Sequence, residues 1–266
     1  MLKRIVSNLV LNRIFSYVKN RKKLKIIKFN KYLVKELHIA KDDFKVYESL
    51  KEFNKKFFLN IDDMDVKELN LRYKKLNNDG LAYLPHIGFN NLNFLNIMGN
   101  CICSLKFLEK MNLKQLKVLN LSNNYLVDIK ALKNLNFSNL KELHLYLNNI
   151  SDIKVLENVN SRELRVLYLN SNRISDINVL KNVNFKKLEI LNLNNNYISD
   201  INVFKNVDFK KLKELYLGYN KISDIKVLEN ANFKGLKNLY IPGNSISDIT
   251  SFKKDNFHSL AFFNIY

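Results

Sequence analysis

Leu188-Glu189-Ile190-Leu191-Asn192-Leu193-Asn194-Asn195-Asn196-Tyr197-Ile198 spells L-x-x-L-x-L-x-x-N-x-I. The same pattern stands one unit upstream (Leu164, Leu167, Leu169, Asn172, Ile174) and one unit downstream (Leu212, Leu215, Leu217, Asn220, Ile222). Its asparagine recurs every 24 residues, as Asn100, Asn124, Asn148, Asn172, Asn196, Asn220 and Asn244. A fixed period of this size marks a solenoid, in which each unit buries its apolar face only against its neighbours.

Inside L-x-x-L-x-L the second and third leucines alternate with polar residues, the period of a short strand. Leu191 and Leu193 therefore point inward, and Ile190, Asn192 and Asn194 point to the other face. The asparagine follows where the chain turns into the interior, leaving backbone N–H and C=O groups without partners. An amide side chain both donates and accepts, so a column of them can bridge successive coils.

After the asparagine comes I-S-D-I in five units, Ile150–Ile153 to Ile246–Ile249, then an apolar pair such as Val155–Leu156. Ser or Asp before an apolar run starts a helix. The pattern predicts a helix of about two turns over a column of Phe137, Phe185, Phe209, Phe233 and Phe257. Ser161 interrupts that column and predicts a local packing gap, which Ser161→Phe would fill. The aspartates (Asp128, Asp152, Asp176, Asp200, Asp224, Asp248) are read as helix caps. The few glycines argue against a calcium ladder.

With seven units in phase, the chain resembles a leucine-rich repeat protein from about Leu92 to its end. The resemblance implies an α/β solenoid, with a curved parallel sheet on the concave face and short helices on the convex face. Units with I-S-D-I are similar to the short, regular class found in phosphatase regulators and internalins, two residues longer here in the N-x-N-F segment. Val66, Leu69 and Leu71 form a degenerate first unit, with Lys74 in the asparagine's place, and Leu260, Phe263 and Ile265 form a truncated last one. The expected division is a basic helical cap over 1–60 and repeats over 61–266.

Outward strand residues of such a fold line the concave side, where binding surfaces usually lie. The column between the second and third leucines reads Asn96, Asn120, His144, Tyr168, Asn192, Tyr216, Tyr240, Asn264. With its neighbouring columns from Phe94 onward it contains no Lys or Arg, which excludes a phosphate-binding groove there. Tyrosine offers large amphipathic contact area, suited to a protein partner. Two clusters are the candidate anchors: Glu142, His144, Tyr146, Leu147 and Tyr168, and Glu214, Tyr216, Tyr219 and Tyr240. Beside Glu142, His144 lacks a recognisable nucleophile or oxyanion donors. The expectation is a non-catalytic interaction module or scaffold, with no cofactor, metal or small-molecule substrate.

Net charge is +19, and residues 1–35 hold eleven Lys or Arg and no acid. Amphipathic spacing predicts helices through Leu2–Val18 and Leu24–Leu37, and a third from Asp42 or Asp43 with Phe44, Tyr47, Leu50 and Phe53. Ile14-Phe15-Ser16-Tyr17-Val18 resembles the I-F-S-Y-L core of an F-box, without its usual Leu-Pro start and later Cys and Trp. That resemblance implies a Skp-type adaptor contact through residues 1–35, at Ile14, Phe15 and Tyr17, in a ubiquitin-ligase substrate receptor. Two other readings stand beside it: a helical end cap, or a basic strip docking to nucleic acid or anionic membrane. Cys101 and Cys103 are the only cysteines. Without cysteine-rich end caps or a secretory pattern, the expected location is cytoplasmic.

Overall fold

The structure, a computed structural model, describes residues 41–61, 66–231, 233–248 and 259–265. Among them, nine three-residue strands pair in sequence order into one wholly parallel sheet. These are β1 (Glu68–Asn70), β2 (Phe94–Asn96), β3 (Val118–Asn120), β4 (Glu142–His144), β5 (Val166–Tyr168), β6 (Ile190–Asn192), β7 (Glu214–Tyr216), β8 (Asn238–Tyr240) and β9 (Phe262–Asn264). Register follows the leucine period without a slip: Leu95, Leu119, Leu143, Leu167, Leu191, Leu215 and Leu239 stand side by side. All seven are fully buried, as are the leucines or isoleucines two residues on, from Ile97 to Ile241. A one-residue slip would turn this whole set outward.

The asparagine column is internal. Asn172 donates from Nδ2 to Leu145 O one coil back and to Leu169 O in its own coil, both at 3.0 Å. Its Oδ1 accepts from Ile150 N at 3.0 Å. Asn124, Asn148, Asn196, Asn220 and Asn244 repeat these three bonds at equivalent positions. Asn100 does the same toward the first unit, accepting from Leu76 N and donating to Leu71 O and Ile97 O. Each amide thus satisfies the backbone at the buried exit from the strand and ties two coils together.

The convex wall differs from expectation. Its helices are 3₁₀ segments of four or five residues, such as Lys154–Asn158 and Asn202–Lys205, closed by i→i+3 bonds like Leu156 N to Ile153 O. The coil has few residues for this wall, and a 3₁₀ turn advances about 2.0 Å per residue against about 1.5 Å for an α-helix. The aspartates stand one residue before the N-cap isoleucines rather than at the cap, and brace the entry to these segments: Asp152 Oδ1 accepts from Lys154 N at 2.9 Å, and Asp128, Asp176, Asp200 and Asp224 accept likewise at 2.8 Å.

Phe137, Phe185, Phe209 and Phe233 are buried as expected, whereas Phe257 lies outside the described residues. Ser161 is no bare gap. It is fully buried, and its hydroxyl donates to Leu140 O at 3.0 Å. A phenylalanine there would break that bond, so the stabilisation expected of Ser161→Phe no longer follows.

At the first end, α1 (Lys41–Lys56) covers the solenoid. It buries Leu50 and Phe53 and packs on α3 (Leu84–Ile87), which follows α2 (Asn78–Leu81). Phe53 stacks obliquely on Phe57 at 5.1 Å and Tyr83 at 6.2 Å. No described helix is long and apolar enough to cross a membrane. Ile14, Phe15 and Tyr17, with the rest of the expected helices before α1, lie outside the described residues.

Candidate functional site

Parallel register carries the outward residues of successive strands into columns across the concave face. Phe94, Val118, Glu142, Val166, Ile190, Glu214 and Asn238 form one column; Asn96, Asn120, His144, Tyr168, Asn192, Tyr216 and Tyr240 form the next. Both expected clusters come together. In the first, Glu142 Oε2 lies 3.0 Å from His144 Nε2. The His144 ring meets Tyr168 edge-on at 4.9 Å, and Tyr146 meets Tyr168 at 6.5 Å. In the second, Tyr216 donates its hydroxyl to Glu214 Oε2 at 2.6 Å, and its ring lies 6.1 Å from Tyr240. Neither carboxylate has a Lys or Arg in ion-pair contact among the described residues.

Electrostatics follow from that. Burial pushes the Tyr216 phenol up to about 12, with the Glu214 carboxylate adding to it. Burial also raises Tyr168, with the fields of Glu214 and Glu142 behind it. A phenol whose folded pKa exceeds its unfolded value near 10 stabilises the fold fully below pH 10, and that contribution is lost as pH rises toward about 12. Titration of tyrosine absorbance should show one ionisation near 12, and Glu214→Gln should bring it down toward the ordinary value.

The asparagines of this face are less available than their spacing suggests. Asn96, Asn120 and Asn192 each turn Oδ1 onto the backbone N–H two residues on, at 3.0 Å, and so brace the exit from their own strand. The aromatic members of the column make no such bond. Tyr146 reaches across two strands to donate to Met98 Sδ at 3.4 Å. Ser122, in the intervening strand's register, is fully buried with no partner for its hydroxyl.

One column carries a feature that spacing did not reveal. The residue before each ladder asparagine, and Tyr73 before Lys74 in the first unit, adopts a left-handed backbone: Tyr73, Gly99, Asn123, Leu147, Ser171, Asn195, Tyr219 and Gly243 have φ between 52° and 68°. Glycine and asparagine suit this conformation, whereas it costs other residues roughly 1–2 kcal/mol. Gly243 is required twice over, since an added Cβ would come 2.6 Å from Tyr219 Cδ1. Leu147, 48% exposed, has no such reason. Leu147→Gly should therefore raise stability by up to about 1 kcal/mol in urea melts.

Cations stand at the rims. Arg165, Lys213 and Glu189 form one ladder (3.2 and 2.5 Å), and Lys187 pairs with Glu163 at 2.6 Å. These lysines hold both carboxyls below the usual range. Lys221 lies over the exposed Tyr197 ring at 5.1 Å. The cation-free description holds from Phe94 onward. Before it, β1 pairs Asn70 with Asn96, which brings the exposed Arg72 into the column of Met98 and Tyr146. The first interval is 26 residues, from Lys74 to Asn100, so the regular period does not reach it.

Comparison with known proteins agrees with this architecture. The family description Leucine Rich repeats (2 copies) matches residues 162–206 and 210–260, and Leucine Rich Repeat matches 115–137. No curated protein matches the chain. Among solved structures, internalin C2 from Listeria monocytogenes is 26% identical over 81% of this chain and 90% of its own, with a TM-score of 0.63. An internalin, inlF, from the same organism is 26% identical over 83% of this chain and 74% of its own, with a TM-score of 0.50. The leucine-rich repeat part of FLRT2, in an octameric complex with Latrophilin 3 and Unc5D, is 26% identical over 71% of this chain and 57% of its own, with a TM-score of 0.55.

Proposed function

We propose that this leucine-rich repeat solenoid is a non-catalytic interaction module whose protein partner docks on the concave face, across Tyr146, Tyr168, Tyr216 and Tyr240. The observation that carries this reading is the contrast between the two walls. A chain with 44 Lys and Arg keeps every one of them out of the concave columns from Phe94 onward, where Tyr146, Tyr168, Tyr216 and Tyr240 stand half-buried among asparagines and apolar residues. Such rings bury area at small entropic cost and dominate binding energy where water is excluded. FLRT2 offers a parallel, since its leucine-rich repeats sit in a multi-protein complex. Glu142 and His144 suit this role as polar contacts beside Tyr168. With free thiols at Cys101 and Cys103, a reducing cytoplasm is the compartment we propose.

The test begins with a partner recovered by affinity capture from the source cells. Tyr168→Ala and Tyr216→Ala should each weaken its binding by about 1–2 kcal/mol, measured at a temperature where both variants remain folded. Undiminished affinity in the double variant would refute the concave reading.

A further inference from the structure

The concave face has a second period, three strands long. Its first outward column reads Glu68, Phe94, Val118, Glu142, Val166, Ile190, Glu214, Asn238, Phe262 in strand order, so the carboxylates fall on β1, β4 and β7. The bulky residues of the left-handed column fall in the same three units. Tyr73, Leu147 and Tyr219 are 57%, 48% and 58% exposed, whereas the units between them carry Gly, Asn or Ser in that column. The carboxylates of β4 and β7 each contact a ring of their own strand (His144, Tyr216), and that ring in turn meets one of the next strand (Tyr168, Tyr240). The set recurs as a unit. The β1 copy departs from it, with Asn70 in place of the ring and Arg72 close along the chain.

We infer that Glu142 and Glu214, each with its neighbouring rings, form two equivalent acid–aromatic sites that receive two basic side chains of one extended segment of a protein partner. The inference rests on the concave reading above and gives it a ligand chemistry. A carboxylate beside tyrosine faces suits a guanidinium or ammonium, by charge-assisted hydrogen bonding and by attraction to the ring faces. The supporting charge pattern is local: among the described residues Glu142 and Glu214 have no Lys or Arg in ion-pair contact, whereas the rim carboxylates Glu163 and Glu189 are already paired. Three strand steps separate the sites by roughly 14–15 Å. An extended segment crossing the strands spans that in roughly four or five residues. Exposed Leu147 and Tyr219 flank the sites and offer apolar contact at the same interval. Both of them occupy a backbone conformation that propensity alone would give to glycine.

A random peptide library displayed on phage, selected on the full chain, supplies the probe. Selected peptides should carry paired Arg or Lys at that interval. Binding of a selected peptide should fall about tenfold in Glu142→Gln and in Glu214→Gln, and should stay within twofold or so in the rim control Glu163→Gln. Moving one basic residue two positions along the peptide should cost as much as deleting it. Neutral peptides that lose binding in Tyr168→Ala/Tyr216→Ala would overturn this inference and leave the concave reading intact. Peptides indifferent to every concave substitution would overturn both, and a selection that enriches no basic pair would overturn the inference.

Discussion

Asn172→Ala is expected to lower stability by about 3–5 kcal/mol in urea denaturation, because the substitution orphans several buried groups at once. Ile150 N, Leu145 O and Leu169 O all use the Asn172 amide. Alanine cannot replace any of these bonds, and a water entering the vacated space would restore only part of them. Each orphaned buried group costs about 1–3 kcal/mol, partly relieved by relaxation of the coil. Position should matter. Asn244 makes the same kinds of bond but is only half-buried, so Asn244→Ala should cost less. Asn202, exposed on the convex wall, supplies the baseline, and its change to alanine should stay within about 0.5 kcal/mol. Equal losses at Asn172 and Asn202 would mean that the ladder contributes nothing particular.

Phe185→Ala is the second large expectation, at about 3–5 kcal/mol, from lost ring burial plus the cavity left behind. Phe185 is 1% exposed and closes the turn that ends with Leu188 N bonded to its own carbonyl. Each coil contacts only its neighbours, so the damage should concentrate on the adjoining coils, and hydrogen exchange should rise around β5 and β6 before the ends. Ser161 holds the same place in its unit and gives an internal comparison. Ser161→Ala removes one hydrogen bond to Leu140 O and should cost about 1 kcal/mol. A loss at Phe185 no larger than that at Ser161 would remove the aromatic column from the account.

The sequence carried the sheet order, the register and the ladder because all three follow from one exact interval. Once Leu191 and Asn196 are placed, every homologous position is placed with them. Periodicity says which face a residue is on but not what its side chain does there. Asn96 and Asn192 share a column with Tyr168, yet their amides turn back to the backbone and the phenol does not. Tyr146 crosses two strands to Met98, a choice of rotamer that no spacing encodes. The left-handed column escaped for a related reason: Leu147 and Tyr219 are residues that turn propensities would not place there, so the sequence concealed the conformation that Gly99 and Gly243 hinted at. Arg72 was missed because the first unit is longer than the rest. The convex turns were misjudged because a capped run of apolar residues reads alike for one turn or two.

Site-specific photo-crosslinking in the source cells tests most directly the claim that one wall holds the coils while the other meets a partner. A benzophenone side chain placed at Tyr168 or Tyr216 is predicted to give the same adduct, and one placed at the convex Asn202 or Lys226 is predicted not to give it. Adducts from the convex positions, with none from the concave pair, would contradict the account.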